Sequence, residues 1–146
     1  AALRERPLTD DTPCPQCERY RFLWLRSANR SAVFRAELNQ AGQGALIVTL
    51  GQLGPRESAA RGIKTYRRTL LPAEVAQLRA AVQESSFWTL QPVPDEGRTD
   101  GARWIFEAQT KDGYHLVDRW SPEPGSYRKL CTLLIRLSGL DLDPVY

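Results

Sequence analysis

The sequence predicts an α+β protein: a mainly antiparallel sheet of about six strands with two helices packed on it. Three observations carry that expectation. Apolar residues alternate at period two in 19–26 and 33–38, and turn-bounded short segments read as two more strands before residue 71 and two after residue 101. The period changes to helical spacing after Pro72 and again after Ser126. The resulting order, ββββ-α-ββ-α, groups strands before each helix, which favours antiparallel pairing over alternating strand–helix–strand units.

The elements follow in order. Residues 1–17 are rich in proline and aspartate, hold no periodic apolar pattern, and read as an irregular arm ahead of a single α+β domain over 18–146. In the first strand, 19–26, Tyr20, Phe22 and Trp24 alternate with Arg21, Leu23 and Leu25. In the second, 33–38, Phe34, Ala36 and Leu38 alternate with Val33, Arg35 and Glu37. The Asn-, Gln- and Gly-rich stretch 39–44 supplies a turn into a third strand, 45–50. A loop over 51–62 leads to a fourth strand, 63–70, which completes an antiparallel meander.

Pro72 suits the first turn of a helix, where a missing N–H leaves nothing unpaired. Val75, Leu78 and Val82 then recur at helical spacing, and the helix ends near Ser85. Phe87-Trp88 follows as a large apolar anchor, and 91–101 is a loop holding two prolines and two glycines. Strands over 103–109 and 114–120 flank Thr110-Lys111-Asp112-Gly113, whose Asp-Gly marks a hairpin. Ser121-Pro122 ends the last strand. Ser126 is the expected cap of the final helix, Tyr127, Leu130, Leu133, Leu134 and Leu137 its apolar stripe, and Gly139 its stop. The expected core joins Phe22, Trp24, Leu46, Val48, Trp104 and Leu116 of the sheet to Leu78, Val82, Leu130 and Leu134 of the helices.

A chain of 146 residues suffices for one domain. Its 42% apolar and 25% charged content is ordinary for a globular protein and argues against disorder or a fibrous repeat. No apolar run approaches the roughly 20 residues that span a bilayer. The formal net charge of +3 is modest, and basic residues are interleaved with acids. The nearest approach to a phosphate-binding stripe is Arg61, Lys64, Arg67 and Arg68, which an extended segment would point to both sides. A nucleic-acid partner is therefore not expected. The chain begins Ala1-Ala2 and holds no methionine, which fits a cleaved signal peptide ending in small residues. The expectation is a periplasmic or secreted protein.

Few residues are candidates for chemistry. Cys14-Pro15-Gln16-Cys17 follows a proline-rich arm and precedes a strand, whereas a thioredoxin-like pair sits at a helix N-terminus. With Cys131 and His115, the only histidine, the chain holds a possible Cys3His zinc set, but its members are far apart in sequence. One structural disulfide is the expected reading, ahead of unpaired thiols, zinc and redox catalysis, and it leaves one thiol free. The pairing stays open: Cys14 with Cys17 is local, and either with Cys131 would tie the arm to the last helix. No metal or other cofactor is expected.

His115 alternates with Val117 and Arg119 and reads as a strand residue on one sheet face. Glu107, Asp118 and Arg119 read as cross-strand charge pairs, not as a catalytic carboxylate pair. Trp88, Trp104, Phe106, Tyr114 and Trp120 are expected mostly in the core, with an exposed one available as a binding anchor. The loop 91–101 places Asp95, Glu96 and Asp100 around Arg98, without the acid spacing of a calcium loop.

Phe87-Trp88, Asp100-Gly101 with Trp104 and Glu107, Tyr114, and Val117-Asp118-Arg119-Trp120-Ser121-Pro122 together resemble a pattern in small, largely uncharacterised bacterial proteins, many of them exported. The resemblance covers roughly residues 63–140. It implies an α+β fold and an exported location, and brings no activity or catalytic residue. The functional expectation is a non-enzymatic binding protein of the envelope, an immunity protein or inhibitor that blocks a toxin-like partner enzyme. Asp95, Glu96, Arg98, Asp100 and Trp88 are its expected contact residues. The alternatives are a small envelope hydrolase or metal-dependent enzyme using His115, Glu107 and the cysteines, and an accessory protein of an envelope machine.

Overall fold

The computed structural model describes residues 5–51, 62–92 and 101–146. Six strands form one antiparallel sheet: β1 (Cys17–Arg26), β2 (Ala32–Asn39), β3 (Gly44–Leu50), β4 (Lys64–Leu70), β5 (Ala102–Thr110) and β6 (Gly113–Trp120). Their spatial order is β4-β3-β2-β1-β5-β6. The first four strands are the predicted meander. β5 adds on the far side of β1, so β4 and β5 run in the same direction with three strands between them. A crossover is then required, and α1 (Pro72–Glu84) supplies it. α2 (Ser126–Ser138) follows β6 and packs against α1 and β3.

One face of the sheet carries the core. Tyr20, Phe22, Trp24, Phe34, Trp104 and Phe106 are buried there in one cluster with Val75 and Leu78 of α1 and Leu130, Leu134 and Leu137 of α2. Aromatic rings hold its centre: Phe22 lies 5.6 Å from Phe34 and 5.3 Å from Trp104, and Trp104 lies 5.7 Å from Trp24. The indole N–H groups of Trp24 and Trp104 both donate to the main-chain oxygen of Tyr146 at 3.0 Å. Residues 140–146 thereby close one end of the core, with Leu140, Leu142, Val145 and Tyr146 packed against it.

Leu116 departs from expectation. It is half-buried, and Val117 is fully buried in its place. The two-residue turn at Lys111-Asp112 pairs Thr110 with Gly113, and this register sets Val117 opposite Phe106 and Leu116 opposite Glu107. A strand's parity is fixed by its hairpin, so Leu116 faces away from the helices. Ser126 also departs: Gly125 occupies the cap position of α2, and no side chain caps it. Gly139 ends α2 in the left-handed conformation as expected, at φ 71°. Gly101 is required by space as well as by its φ of 119°, because a Cβ there would meet Ser121 Oγ at 2.3 Å.

The opposite face is covered by the arm. Residues 5–16 contain only a 3-10 turn, Leu8–Asp10, which contacts β1 and β5 and buries Leu8 completely. Beneath it lie Arg21 and Glu107, directly opposite each other across β1 and β5 and joined at 2.6 Å. The second carboxylate oxygen of Glu107 accepts from the Tyr114 hydroxyl at 2.6 Å. Glu5 of the arm accepts from Arg21 at 2.6 Å and from Arg35 at 2.7 Å, and Arg35 also pairs with Asp11.

Candidate functional site

The register of the sheet brings four separate stretches to one end of the molecule. Cys17 opposes Asn39, and Arg19 opposes Gln109, so the start of β1, the β2–β3 turn and the β5–β6 turn lie side by side. The 3-10 turn Phe87–Thr89 after α1 stands beside them. Between these pieces is a cleft of about 530 Å³, lined by Cys17, Glu18, Gln40, Trp88, Lys111 and Asp112 among others. A smaller hollow of about 210 Å³ adjoins it, lined by Cys14, Cys17, Arg19, Gln109 and Lys111 among others. The Cys14-to-Cys17 loop borders both.

Cys14 and Cys17 are joined by a disulfide across a Cα–Cα distance of 5.3 Å. The loop is closed as a turn, Cys17 N–H donating to Cys14 O at 3.1 Å, with Pro15 and Gln16 exposed. Of the pairings left open by the sequence, this is the local one. Cys131 is the free cysteine, fully buried, and burial pushes its thiol well above the ordinary range.

Trp88 is 39% exposed and stands on the cleft wall, its ring edge-on to the buried Phe87 at 5.6 Å. Phe87 is the inward half of the anchor and packs on Phe106 at 5.1 Å. The left-handed Ser86, φ 52°, re-aims the chain after α1 and lets neighbouring aromatics face opposite ways. Tyr114 is likewise 39% exposed, and burial of its hydroxyl with Glu107 beside it raises its pKa above the usual tyrosine range. Asp95, Glu96, Arg98 and Asp100, the other expected contact residues, lie outside the described residues.

The residues of the enzymatic alternative do not converge. His115 pairs with Ala108 on the helix-bearing face, whereas Glu107 pairs with Leu116 and Asp118 with Ile105 on the other face. His115 Nε2–H donates to Leu90 O at 2.8 Å, and its ring lies edge-on to Phe87 at 5.2 Å. Asp118 accepts two hydrogen bonds from Arg103 Nε and one from its terminal nitrogen, at 2.5–3.1 Å. Arg119 donates to the Asp118 carbonyl and lies over Tyr127. Among the described residues, no three His, Cys, Asp or Glu side chains gather as a metal-ligand set.

Arg68 donates to Leu137 O at 2.6 Å and pairs with Glu74 at 2.8 Å. Arg67 is on the other sheet face from Lys64 and Arg68, and Arg61 lies outside the described residues. Among the described residues, no helix is long and apolar enough to cross a membrane.

Sequence reasoning found Trp88 and the cysteine pair but did not join them to Lys111, Asp112 or Gln40. Those residues meet only through strand register, which composition does not reveal. Compared with known protein-family models and with curated proteins, the chain matches none.

Proposed function

We propose that this chain is an exported, non-enzymatic binding protein of the immunity or inhibitor type, which occludes a partner protein with the surface around Trp88. One observation carries the proposal: a tryptophan packed edge-on against the buried Phe87 yet 39% exposed, on the wall of a cleft otherwise lined by polar turns. Such aromatics rimmed by polar groups supply most of the energy at protein interfaces. The Cys14–Cys17 disulfide and the resemblance to exported proteins support an oxidising location. The acidic residues Asp95, Glu96 and Asp100, which follow Trp88 closely in sequence, belong to the same proposal as the charges that steer a basic partner.

The test is to capture a partner from envelope extract and measure its affinity for variants. Trp88→Ala is expected to cost about 2 kcal/mol, roughly 30-fold in Kd, while the free protein still unfolds in one cooperative transition. Charge reversal at Asp95 and Glu96 is expected to slow association, most at low salt. Undiminished affinity of Trp88→Ala moves the interface elsewhere. Turnover by the isolated protein that is lost on His115→Ala replaces the inhibitor reading with the enzymatic one.

A further inference from the structure

The two hollows beside the Cys14–Cys17 disulfide differ in charge. The smaller, which alone borders both cysteines, is lined by the cations Arg19 and Lys111 and by no carboxylate. The larger borders Cys17 but not Cys14, and there Glu18 and Asp112 stand beside Lys111. Glu18 is engaged by Arg79 at 3.0 Å, and Arg19 has Glu37 at 3.6 Å and donates to Thr12 O at 2.5 Å. Both cysteines are half-buried. A partly exposed cysteine beside cations is the environment that stabilises a thiolate.

We propose that Cys14–Cys17 is an exchange-competent disulfide that oxidises the paired thiols of a client held in the larger cleft, with Cys14 as the leaving thiolate. A client thiolate attacks Sγ of Cys17, the cysteine that borders that cleft. The Cys14–Cys17 bond breaks, its electron pair goes to Sγ of Cys14, which lines one hollow with Arg19 and Lys111, and a mixed disulfide links the client to Cys17. The second client thiolate then attacks the client sulfur of that bond, and Cys17 departs as a thiolate. Two electrons pass from the client dithiol to the protein, the client gains one disulfide, and the two protons it releases are taken up as Cys14 and Cys17 become thiols. The cations supply what a helix N-terminus supplies in a strand–helix redox site, which answers the objection raised by the sequence context. This chemistry adds an activity to a chain proposed above as non-enzymatic; it does not require the binding partner, and the two readings are tested by separate measurements.

Three measurements test it, using dithiothreitol and glutathione as the thiol probes. In Cys17→Ser, the pH dependence of Cys14 alkylation is expected to give a midpoint at least one unit below the ordinary thiol value of about 8.5. In the intact disulfide protein, Lys111→Glu is expected to slow reduction by dithiothreitol at least about threefold, because a lower leaving-thiol pKa speeds exchange. Lys111 lies in an exposed turn, so this variant decides the matter even if Cys17→Ser fails to fold. In glutathione buffer poised as in an oxidising compartment, the native pair is expected to populate both oxidised and reduced forms. An ordinary or raised Cys14 midpoint, a rate indifferent to Lys111→Glu, or a pair that stays wholly oxidised overturns the proposal.

Discussion

Glu107 is only 1% exposed, yet it is a charged residue in the middle of a sheet. Arg21 opposes it in register, Tyr114 satisfies its other oxygen, and Glu5 in turn occupies Arg21 Nε. Removing one member of a buried pair strands the other charge away from water, which is far costlier than removing both. Arg21→Met is therefore expected to destabilise by about 3–5 kcal/mol, while the double variant Arg21→Met, Glu107→Met recovers most of that loss. Urea unfolding midpoints of Arg21→Met, Glu107→Met and the double variant check this; a double loss equal to the sum of the two single losses would mean the pair is not coupled. At the same scale, the opposed parities of His115 and Glu107 keep the imidazole and the buried Glu107 carboxylate on different faces, although one is eight residues after the other.

Helix α1 is held at its start by a side chain. Glu74 Oε1 accepts from Leu71 N–H at 2.9 Å, half of the reciprocal capping arrangement that pairs otherwise orphan donors. That hydrogen bond, then the Arg68 guanidinium, holds the Glu74 carboxyl below its ordinary value. A depressed folded-state pKa contributes stability above the unfolded value and loses it as pH falls through the folded one. Glu74→Ala is expected to cost about 0.5 kcal/mol at neutral pH, discounted for a surface site, and nothing once the carboxyl is protonated in both states. Thermal melts of both proteins from neutral pH downward give the comparison, and a pH-independent gap would assign the effect to something other than the cap charge. β6 teaches a related lesson: its apolar residues Leu116 and Val117 are adjacent, and the hairpin register, not hydropathy, decides which is buried.

Across the whole molecule, the arm makes the fold two-sided. The helices cover one face of the sheet, and residues 5–16 cover part of the other through Leu8 and the Glu5 and Asp11 ion pairs. Because Leu8 is fully buried, Leu8→Ala is expected to destabilise by about 2–5 kcal/mol in one cooperative transition. A loss below about 0.5 kcal/mol would mean that the arm is merely adsorbed on the sheet.

Local signals by themselves determined the six strands, the two helices and the antiparallel class, because alternation, β-forming composition, turn residues and helical spacing are all properties of neighbouring residues. Pro72, the Asp-Gly of the last hairpin and Gly139 placed three of the boundaries for equally local reasons. The adjacency of β5 to β1, the burial of Val117 over Leu116 and the meeting of Trp88, Lys111 and the Cys14–Cys17 loop were decided only by tertiary structure. Each depends on a pairing between segments distant in sequence, and no residue carries a mark of its partner. The arm shows the same division most plainly: Leu8 stands in no periodic pattern, and its 3-10 turn is placed by contacts with β1 and β5, distant from each other in sequence.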